Sequence, residues 1–414
     1  MENQSLKSPV CIIGAGPAGA TLSMFLSKAK IHHIIVDKAV FPRDKTCGDG
    51  CTPEVARVLR ELDEAWYQEY INADWVKPSS GFYFENFDGR NIDFSLNHQG
   101  QNIATNYVVE RERFDHFLVQ KLDPTYAVSL FGFEVKSIAR ANEGVVIKGK
   151  EGGKEITINS QLVIGADGER SIVRKTFHPQ GITKNRPHHA AVIRQYYKNI
   201  ANTSDKYPLE FYIPTDKFQS YFWIFHLPDG RANIGIGAPS DVMSKHKVNL
   251  KKELNYFLNN HPSMVKRFKN AEPLSEVKGW GIPFNSDASE YFGDNYLLIG
   301  DAAKFAEPLT GKGIGIAMYA SMLAAPIIID AINNNDFSRN KLSQFEVAIE
   351  KKFRSEWKQL YRVQQWAKHP VFIQLLVFFG KIPFIKKKIE TSMVSSYLKY
   401  INKPHLNRQT SNRT

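Results

Sequence analysis

Gly14, Gly16 and Gly19 stand at the spacing a backbone needs to close on a pyrophosphate. Gly14 permits a tight strand-to-helix reversal, Gly16 removes the side chain that would block the phosphates, and Gly19 lets the helix lie close on the strand. Pro17 and Ala18 open that helix, whose free N–H groups and positive dipole end would face the anion. Asp37, beside Lys38, follows at about the 20-residue interval from which a carboxylate binds ribose hydroxyls. Further on, Arg43 and Lys45 offer charge to phosphates, and Cys47 lies in a loop with Gly48 and Gly50. That thiol either approaches a bound ligand or is an ordinary loop cysteine. Asp167-Gly168 closes an apolar run with a carboxylate, alone a common strand-to-helix turn, and Gly300-Asp301 closes another with a carboxylate placed to accept from a sugar or ribityl hydroxyl. The stretch Pro308-Leu309-Thr310-Gly311-Lys312-Gly313-Ile314 would place a helix start, able to stabilise negative charge, against whatever ring lies before it.

These residues need parallel strands to present them. Val10–Ile13, Ile31–Val36, Leu162–Gly165 and Leu297–Ile299 are the apolar runs that would do so, and a carboxylate at the carboxyl end of such a strand faces the ligand crevice of an open sheet. Ala18, Leu22, Phe25, Leu26 and Ala29 give the intervening helix one buried face. Residues 81–94 alternate around Asp88-Gly89, a hairpin that begins a second sheet. From 186 to 285 the pattern turns to aromatic strands and an antiparallel domain, with Tyr221, Trp223 and Phe225 as candidates to line an apolar pocket; sheet core is the default for such residues.

The length of 414 residues predicts two or three domains, and 43% hydrophobic with 23% charged residues is a globular composition. Three cysteines make no disulfide framework, and the spacing of Cys47 and Cys51 suits neither zinc nor a redox dithiol; no metal site is expected. The net charge of +12 comes without a nucleic-acid motif, and fits an anionic membrane surface or a phosphorylated substrate instead. No signal peptide and no run of about 18 apolar residues is recognisable, so a cytoplasmic protein is expected.

Residues 14–19, 165–168 and 300–315 are similar in order and spacing to the three fingerprints of the p-hydroxybenzoate hydroxylase-like FAD oxidoreductases. Within that superfamily the chain resembles the geranylgeranyl reductase branch, on Lys45-Thr46-Cys47-Gly48-Asp49-Gly50, on Tyr107-Val108-Val109-Glu110-Arg111, and on Tyr221–Phe225 leading to Asp229-Gly230-Arg231. The resemblance covers about Val10 to Ala325. It implies FAD on Gly14, Gly16 and Gly19, with Asp37 on the adenosine ribose, Arg111 and Asp167 at the middle of the cofactor, and Asp301 on the ribityl chain. Pro308 would lie beside the flavin ring, Gly311, Gly313 and Gly315 would bring backbone N–H groups to its pyrimidine edge, and Cys47 would lie near the ring. The implied fold is α/β: a Rossmann-like FAD-binding domain (1–75, 101–185 and 286–330), an inserted antiparallel substrate domain (76–100 and 186–285) and a C-terminal helical region (331–414). Asp49 stands where relatives often carry a second glycine, and Gly311-Lys312-Gly313 replaces Gly-Glu-Gly. Lys312 pointing inward would raise the flavin potential; pointing outward it would be solvated.

The implied chemistry is reduction of C=C bonds in an isoprenoid or other long apolar substrate, by hydride from flavin N5 and a proton to the neighbouring carbon. Electrons would come from NAD(P)H or another external donor, such as a reductase or ferredoxin. The alternatives are an FAD-dependent aromatic monooxygenase or halogenase, and a non-catalytic membrane-associated flavoprotein. In the tail, Val371–Phe379 beside Lys381 and Lys386-Lys387-Lys388 suits a peripheral contact on the inner face of a membrane. A terminal helix packed on the substrate domain fits the same pattern.

Overall fold

The computed structural model describes residues 4–178, 186–284 and 290–401. The boundaries expected at 185 and at 285–286 lie outside them. Backbone contacts divide the chain into two units.

The first unit comprises Met1–Lys45, Glu112–His189 and Ile282–Arg362. Its sheet is centred on β1 (Gln4–Ile13), in which Val10, Cys11 and Ile12 are wholly buried, as a parallel strand covered on both faces requires. β1 runs parallel to Lys154–Gly165 on one side, Ile13 opposite Gly165, and to β2 (His33–Asp37) on the other, Ile13 opposite Val36. Ala127–Phe131 lies parallel beyond β2, and Tyr296–Leu298 lies parallel to the last residues of Lys154–Gly165. Gly14, Asp37, Asp167 and Asp301 therefore sit at or just past the carboxyl ends of parallel strands, along one edge of the sheet. The helix α1 (Pro17–Lys28) opens on proline with Gly16 as its N-cap. It packs on the helix Ile314–Asn333, where the Ser321 hydroxyl donates to the Ala18 carbonyl at 2.8 Å. That 20-residue helix is long and apolar enough to cross a membrane, but 67% of its apolar window is buried inside the protein. The spacing of Phe345, Ile349, Phe353 and Trp357 predicts one helical face, and all four are buried.

The second unit comprises Thr46–Arg111, Ala190–Gly281 and Val363–Thr414. Its main sheet runs in the order Glu272–Pro273, His189–Lys198, Ala232–Pro239, Tyr221–His226, Leu209–Tyr212, Gly81–Glu85, Asn91–Ser95. All these pairings are antiparallel except that of Leu209–Tyr212 with Gly81–Glu85. The hairpin expected around Asp88-Gly89 thus forms the end of the aromatic sheet, with Gly89 in the left-handed region at φ 80°. One sheet face buries Phe222, Ile224, Ile234 and Ile236 against Leu254 and Phe257. Strand alternation turns Tyr221, Trp223 and Phe225 to the other face. The partner elements on the first face are the helices Ser240–His246, Leu250–Asn260 and Pro262–Arg267, which lie inside the stretch read as strands.

Several segments group differently from the sequence boundaries: 46–75, 101–111 and 363–414 fall in the second unit, and 331–362 in the first. Residues 46–75 join the second unit because Gly50–Cys51 and Val76–Ser79 both pair with Asn106–Val109. The helices Pro370–Gly380 and Pro383–Ile401 join it as well: Glu390 accepts from the Ser95 N–H at 2.8 Å, and Lys386 pairs with Asp93 at 3.2 Å.

Candidate functional site

In the first unit the glycine turn is set by backbone collisions. Gly14 has φ 101°, its N–H donates to the Val36 carbonyl at 2.7 Å, and a Cβ there would stand 2.4 Å from the Ala166 carbonyl oxygen. A Cβ on Gly19 would stand 1.8 Å from the Gly14 oxygen. At Gly16 by contrast a built Cβ would meet only the Arg43 guanidinium, at an ordinary contact distance of 3.7 Å. No side chain caps the first turn of α1 and no acidic residue lies in it. Arg43 is held there by Asp115 at 3.0 Å and by the Phe41 ring at 4.8 Å. Asp37 ties β2 to the turn, accepting from the Ala15 N–H at 2.8 Å and the Ala39 N–H at 2.9 Å, while Lys38 is exposed.

Asp167 accepts from the Ile172 N–H at 2.6 Å through one oxygen, and the other is buried with no partner in the described structure. Burial raises its carboxyl above the usual range, against the hydrogen bonds of Ser171 and Ile172. Gly168, at φ 75°, has nothing within 4 Å of a built Cβ. Asp301 lies on the turn Gly300–Ala303; a Cβ on Gly313 would be 3.5 Å from its Oδ1, so the carboxylate sits at the start of the helix Ile314–Asn333. Gly313 caps that helix, with neither a side-chain cap nor an acidic residue in its first turn. An unblocked helix start beside Gly16, an orphaned Asp167 oxygen, and a second uncapped helix start beside Asp301 fit a dinucleotide carrying a polyol chain.

Glu307 is a residue the sequence reading passed over. It is buried, and its carboxylate accepts from the Leu309 and Thr310 N–H groups, each at 2.8 Å, and from the Thr310 hydroxyl. It thereby shapes the loop carrying Pro308, Gly311 and Lys312. Lys312 pairs with Glu356 at 3.3 Å on the helix Ser355–Trp366.

In the second unit, Cys47 is half-buried, and its carbonyl accepts from Asn233 Nδ2 at 2.8 Å. The same nitrogen donates to Asp49 Oδ2 at 2.7 Å, and the Asn233 Oδ1 accepts from Trp223 Nε1 at 3.0 Å. The Tyr196 hydroxyl donates to Asp49 Oδ2 at 2.6 Å. Gly48 and Gly50 lie on the Trp223 and Phe225 rings, 3.4 and 3.2 Å from built Cβ positions. Trp223 is therefore a support for the Cys47 loop as well as a candidate lining residue; Tyr221 is 5.6 Å from it, ring to ring. Arg111 is buried at the start of the helix Arg111–Gln120, close enough to Asp49 to act on its charge. Cys11 and Cys51 are buried thiols: burial pushes Cys11 up to about 12 and Cys51 above the usual thiol range, so neither is a nucleophile.

Asp49 has no exposed surface, takes φ 66°, and its Oδ1 has no partner in the described structure. The only sequence signal was its place where a glycine is usual, and the left-handed backbone explains that preference. Burial pushes its carboxyl up to about 6, partly offset by Tyr196, Asn233 and the Arg194 and Arg111 charges. A folded value above the unfolded one means the unfolded chain gives up its proton first. Stability is then greatest below about pH 4 and falls by on the order of 3 kcal/mol as pH rises to about 6. Asn also adopts this backbone, so Asp49→Asn should melt higher than wild type at pH 8, the two converging near pH 4. Parallel melting curves across that range would refute this.

Residues 7–337 match the FAD binding domain family. Over 358 residues the chain is 31% identical to a digeranylgeranylglycerophospholipid reductase from Methanosarcina mazei, covering 84% of this chain and 81% of that protein. It is 24% identical over 370 residues to a 1H-pyrrole-2-carbonyl-(peptidyl-carrier protein) chlorinase from Pseudomonas fluorescens, covering 82% and 80%. The fold matches a geranylgeranyl bacteriochlorophyll reductase-like protein from Thermoplasma acidophilum with a TM-score of 0.79 at 21% identity, over 96% of this chain and 100% of that one.

Proposed function

This chain belongs to the FAD binding domain family as an FAD-dependent oxidoreductase related to the geranylgeranyl reductases, and we propose that it saturates C=C bonds in an isoprenoid lipid. The observation that carries this is the 31% identity to a prenyl-lipid reductase across 84% of the chain. Trp223 and Phe225, buried under the Cys47 loop, and the half-buried Tyr221 form the apolar wall that this reading sets behind the substrate.

In this reading Gly14, Gly16, Pro17, Ala18, Gly19 and Arg43 hold the pyrophosphate, Asp37 and Lys38 the adenosine ribose, and Arg111, Asp167 and Gly168 the middle of FAD. Asp301 takes the ribityl hydroxyls, and Pro308, Gly311, Gly313 and Ile314 border the ring. Reduced FAD supplies hydride equivalents. The uncapped helix start at Gly313 would favour negative charge placed before it through its backbone dipole. Lys312, paired with Glu356, adds a charge already partly balanced. Cys47, whose carbonyl is held by Asn233, is in this reading the candidate to influence proton delivery to the substrate. An external donor, NAD(P)H or a protein reductase, would supply the electrons, and a lipid-borne substrate would bring the enzyme to a membrane surface.

The test is anaerobic. Protein reduced with dithionite and mixed with polyprenyl lipid should reoxidise and release product heavier by hydrogen pairs, and Cys47→Ser should slow that step with flavin content unchanged. Flavin that stays reduced until oxygen enters, with oxygen or halogen then appearing on an aromatic substrate, would replace this reading by a monooxygenase or halogenase. Equal rates for Cys47→Ser would remove the thiol from the mechanism.

A further inference from the structure

Hydrophobic side chains on the surface of this protein are concentrated in one place. Of the 15 large hydrophobic residues that are exposed among the described residues, eight lie between Val371 and Ile389. The helix Pro370–Gly380 buries Ile373, Val377 and Gly380, with Gly380 so close to Ile92 that a Cβ would stand 2.6 Å from its Cδ1. At 100° per residue, Val371, Leu375 and Phe378 lie on the opposite side, with Phe379 beside them. They are exposed by 63%, 48%, 59% and 48%. One helix therefore has two apolar faces, and only one is used by the fold. Ile382 and Phe384, the latter 76% exposed, continue the outer face into the next helix, and Trp366 stands exposed at its near end.

The charges within Val371–Ile389 are of one sign. Lys381, Lys387 and Lys388 are exposed next to the outer face. Lys386 is turned to Asp93 at 3.2 Å, and Glu390, the residue that follows, is turned inward to the Ser95 N–H at 2.8 Å. Phe384, Lys387, Lys388, Thr391 and Ser392 line an open crevice in which a phenylalanine ring lies beside two lysines. Aliphatic and aromatic side chains flanked by lysines match the boundary of an anionic bilayer, where acyl chains take the apolar groups and headgroup phosphates the ammonium groups.

We infer that the outer face of Pro370–Gly380, with the following lysines, docks the protein on anionic lipid bilayers. The inference rests on the lipid reductase reading only for its biological sense; the surface itself is independent of it. Vesicle flotation with the flavin-loaded protein tests it. Wild type should float with phosphatidylcholine vesicles containing phosphatidylglycerol, and less with phosphatidylcholine alone, the difference shrinking in high salt. Leu375→Glu/Phe378→Glu should weaken vesicle binding by about a hundredfold, two inserted side chains being exchanged for charges. Lys387→Glu/Lys388→Glu should lose about tenfold or more on anionic vesicles and little on neutral ones. Wild type that floats with neither vesicle, or a Leu375→Glu/Phe378→Glu variant that floats like wild type, would overturn the inference. So would a wild-type dimer that this variant converts to monomer without any vesicle binding, since the face would then serve a second copy. Turnover of detergent-dispersed polyprenyl substrate separates the two readings: docking without such turnover in wild type leaves the surface standing and removes the reductase.

Discussion

Gly19→Ala is expected to give protein that purifies without flavin. The added Cβ would stand 1.8 Å from the Gly14 carbonyl oxygen, a backbone atom that cannot rotate away. Gly14 is itself fixed at φ 101° against the Ala166 backbone, with its N–H on the Val36 carbonyl, so the turn cannot yield. The helix α1 must therefore move outward, and the Ser321 bond to the Ala18 carbonyl stretches with it. Overpacking of this kind costs about 1–3 kcal/mol in stability, and the displacement withdraws the uncapped first turn of α1 from the phosphates. A loss of FAD affinity of about a hundredfold or more is the expected result, since two charge-assisted hydrogen bonds are worth at least that much. Flavin absorbance relative to protein reads the outcome directly. Gly153→Ala is the control: it has φ 85° but nothing within 4 Å of a built Cβ. It should cost about 1 kcal/mol of backbone strain and keep its flavin. Wild-type flavin content in Gly19→Ala would show that the turn is not the phosphate site.

The elements around that turn were legible because their signals are local. β1, α1 and β2 follow from an apolar run, a glycine pattern and an acid at a fixed interval, all within about 30 residues. The hairpin at Asp88-Gly89 is legible for the same reason. The helix Leu250–Asn260 was equally open to reading, since Leu250, Leu254, Phe257 and Leu258 repeat at helical spacing behind an Asn249 cap; the aromatic strands before it set the pattern expected for the whole stretch. The support of the Cys47 loop was not legible. Asp49 meets Tyr196 and Asn233 at separations of 147 and 184 residues, and no periodicity in one chain reports such a pairing. The orientation of Lys312 was open for a similar reason, its partner Glu356 being 44 residues on. Glu307 is a different case: its three hydrogen bonds are local, yet a glutamate before proline reads as an ordinary loop residue until the loop is seen to fold back on it.

Arg267→Met is expected to be the most destabilising change in the second unit, by about 3–5 kcal/mol at neutral pH. Arg267 closes the helix Pro262–Arg267 and reaches Glu210 through both terminal nitrogens, at 2.5 and 2.8 Å, with a further bond to the Ala201 carbonyl at 3.1 Å. Glu210 also bonds His226 at 2.5 Å and Tyr212, and all four side chains are buried. The cluster ties the strands Leu209–Tyr212 and Tyr221–His226 to the helices covering them, and the second of these strands carries Tyr221, Trp223 and Phe225 on its other face. Burial alone would raise the Glu210 carboxyl, but hydrogen bonds from His226 and Arg267, with the Arg267 charge, hold it down to about 2. A folded value below the usual 4.5 means that its contribution is present above about pH 4.5 and is lost as pH falls toward 2. Without Arg267 the shift reverses: an uncompensated buried carboxylate is costly while charged, and the cost lessens where it can take a proton. Arg267→Met should therefore lose more stability at pH 8 than at pH 5, and Glu210→Gln on top of it should restore much of the loss at pH 8. Denaturant midpoints of the two variants at both pH values decide this. Equal losses at the two pH values, or no recovery in the double variant, would mean that packing of the arginine stem, rather than its charge, holds the helices to the sheet.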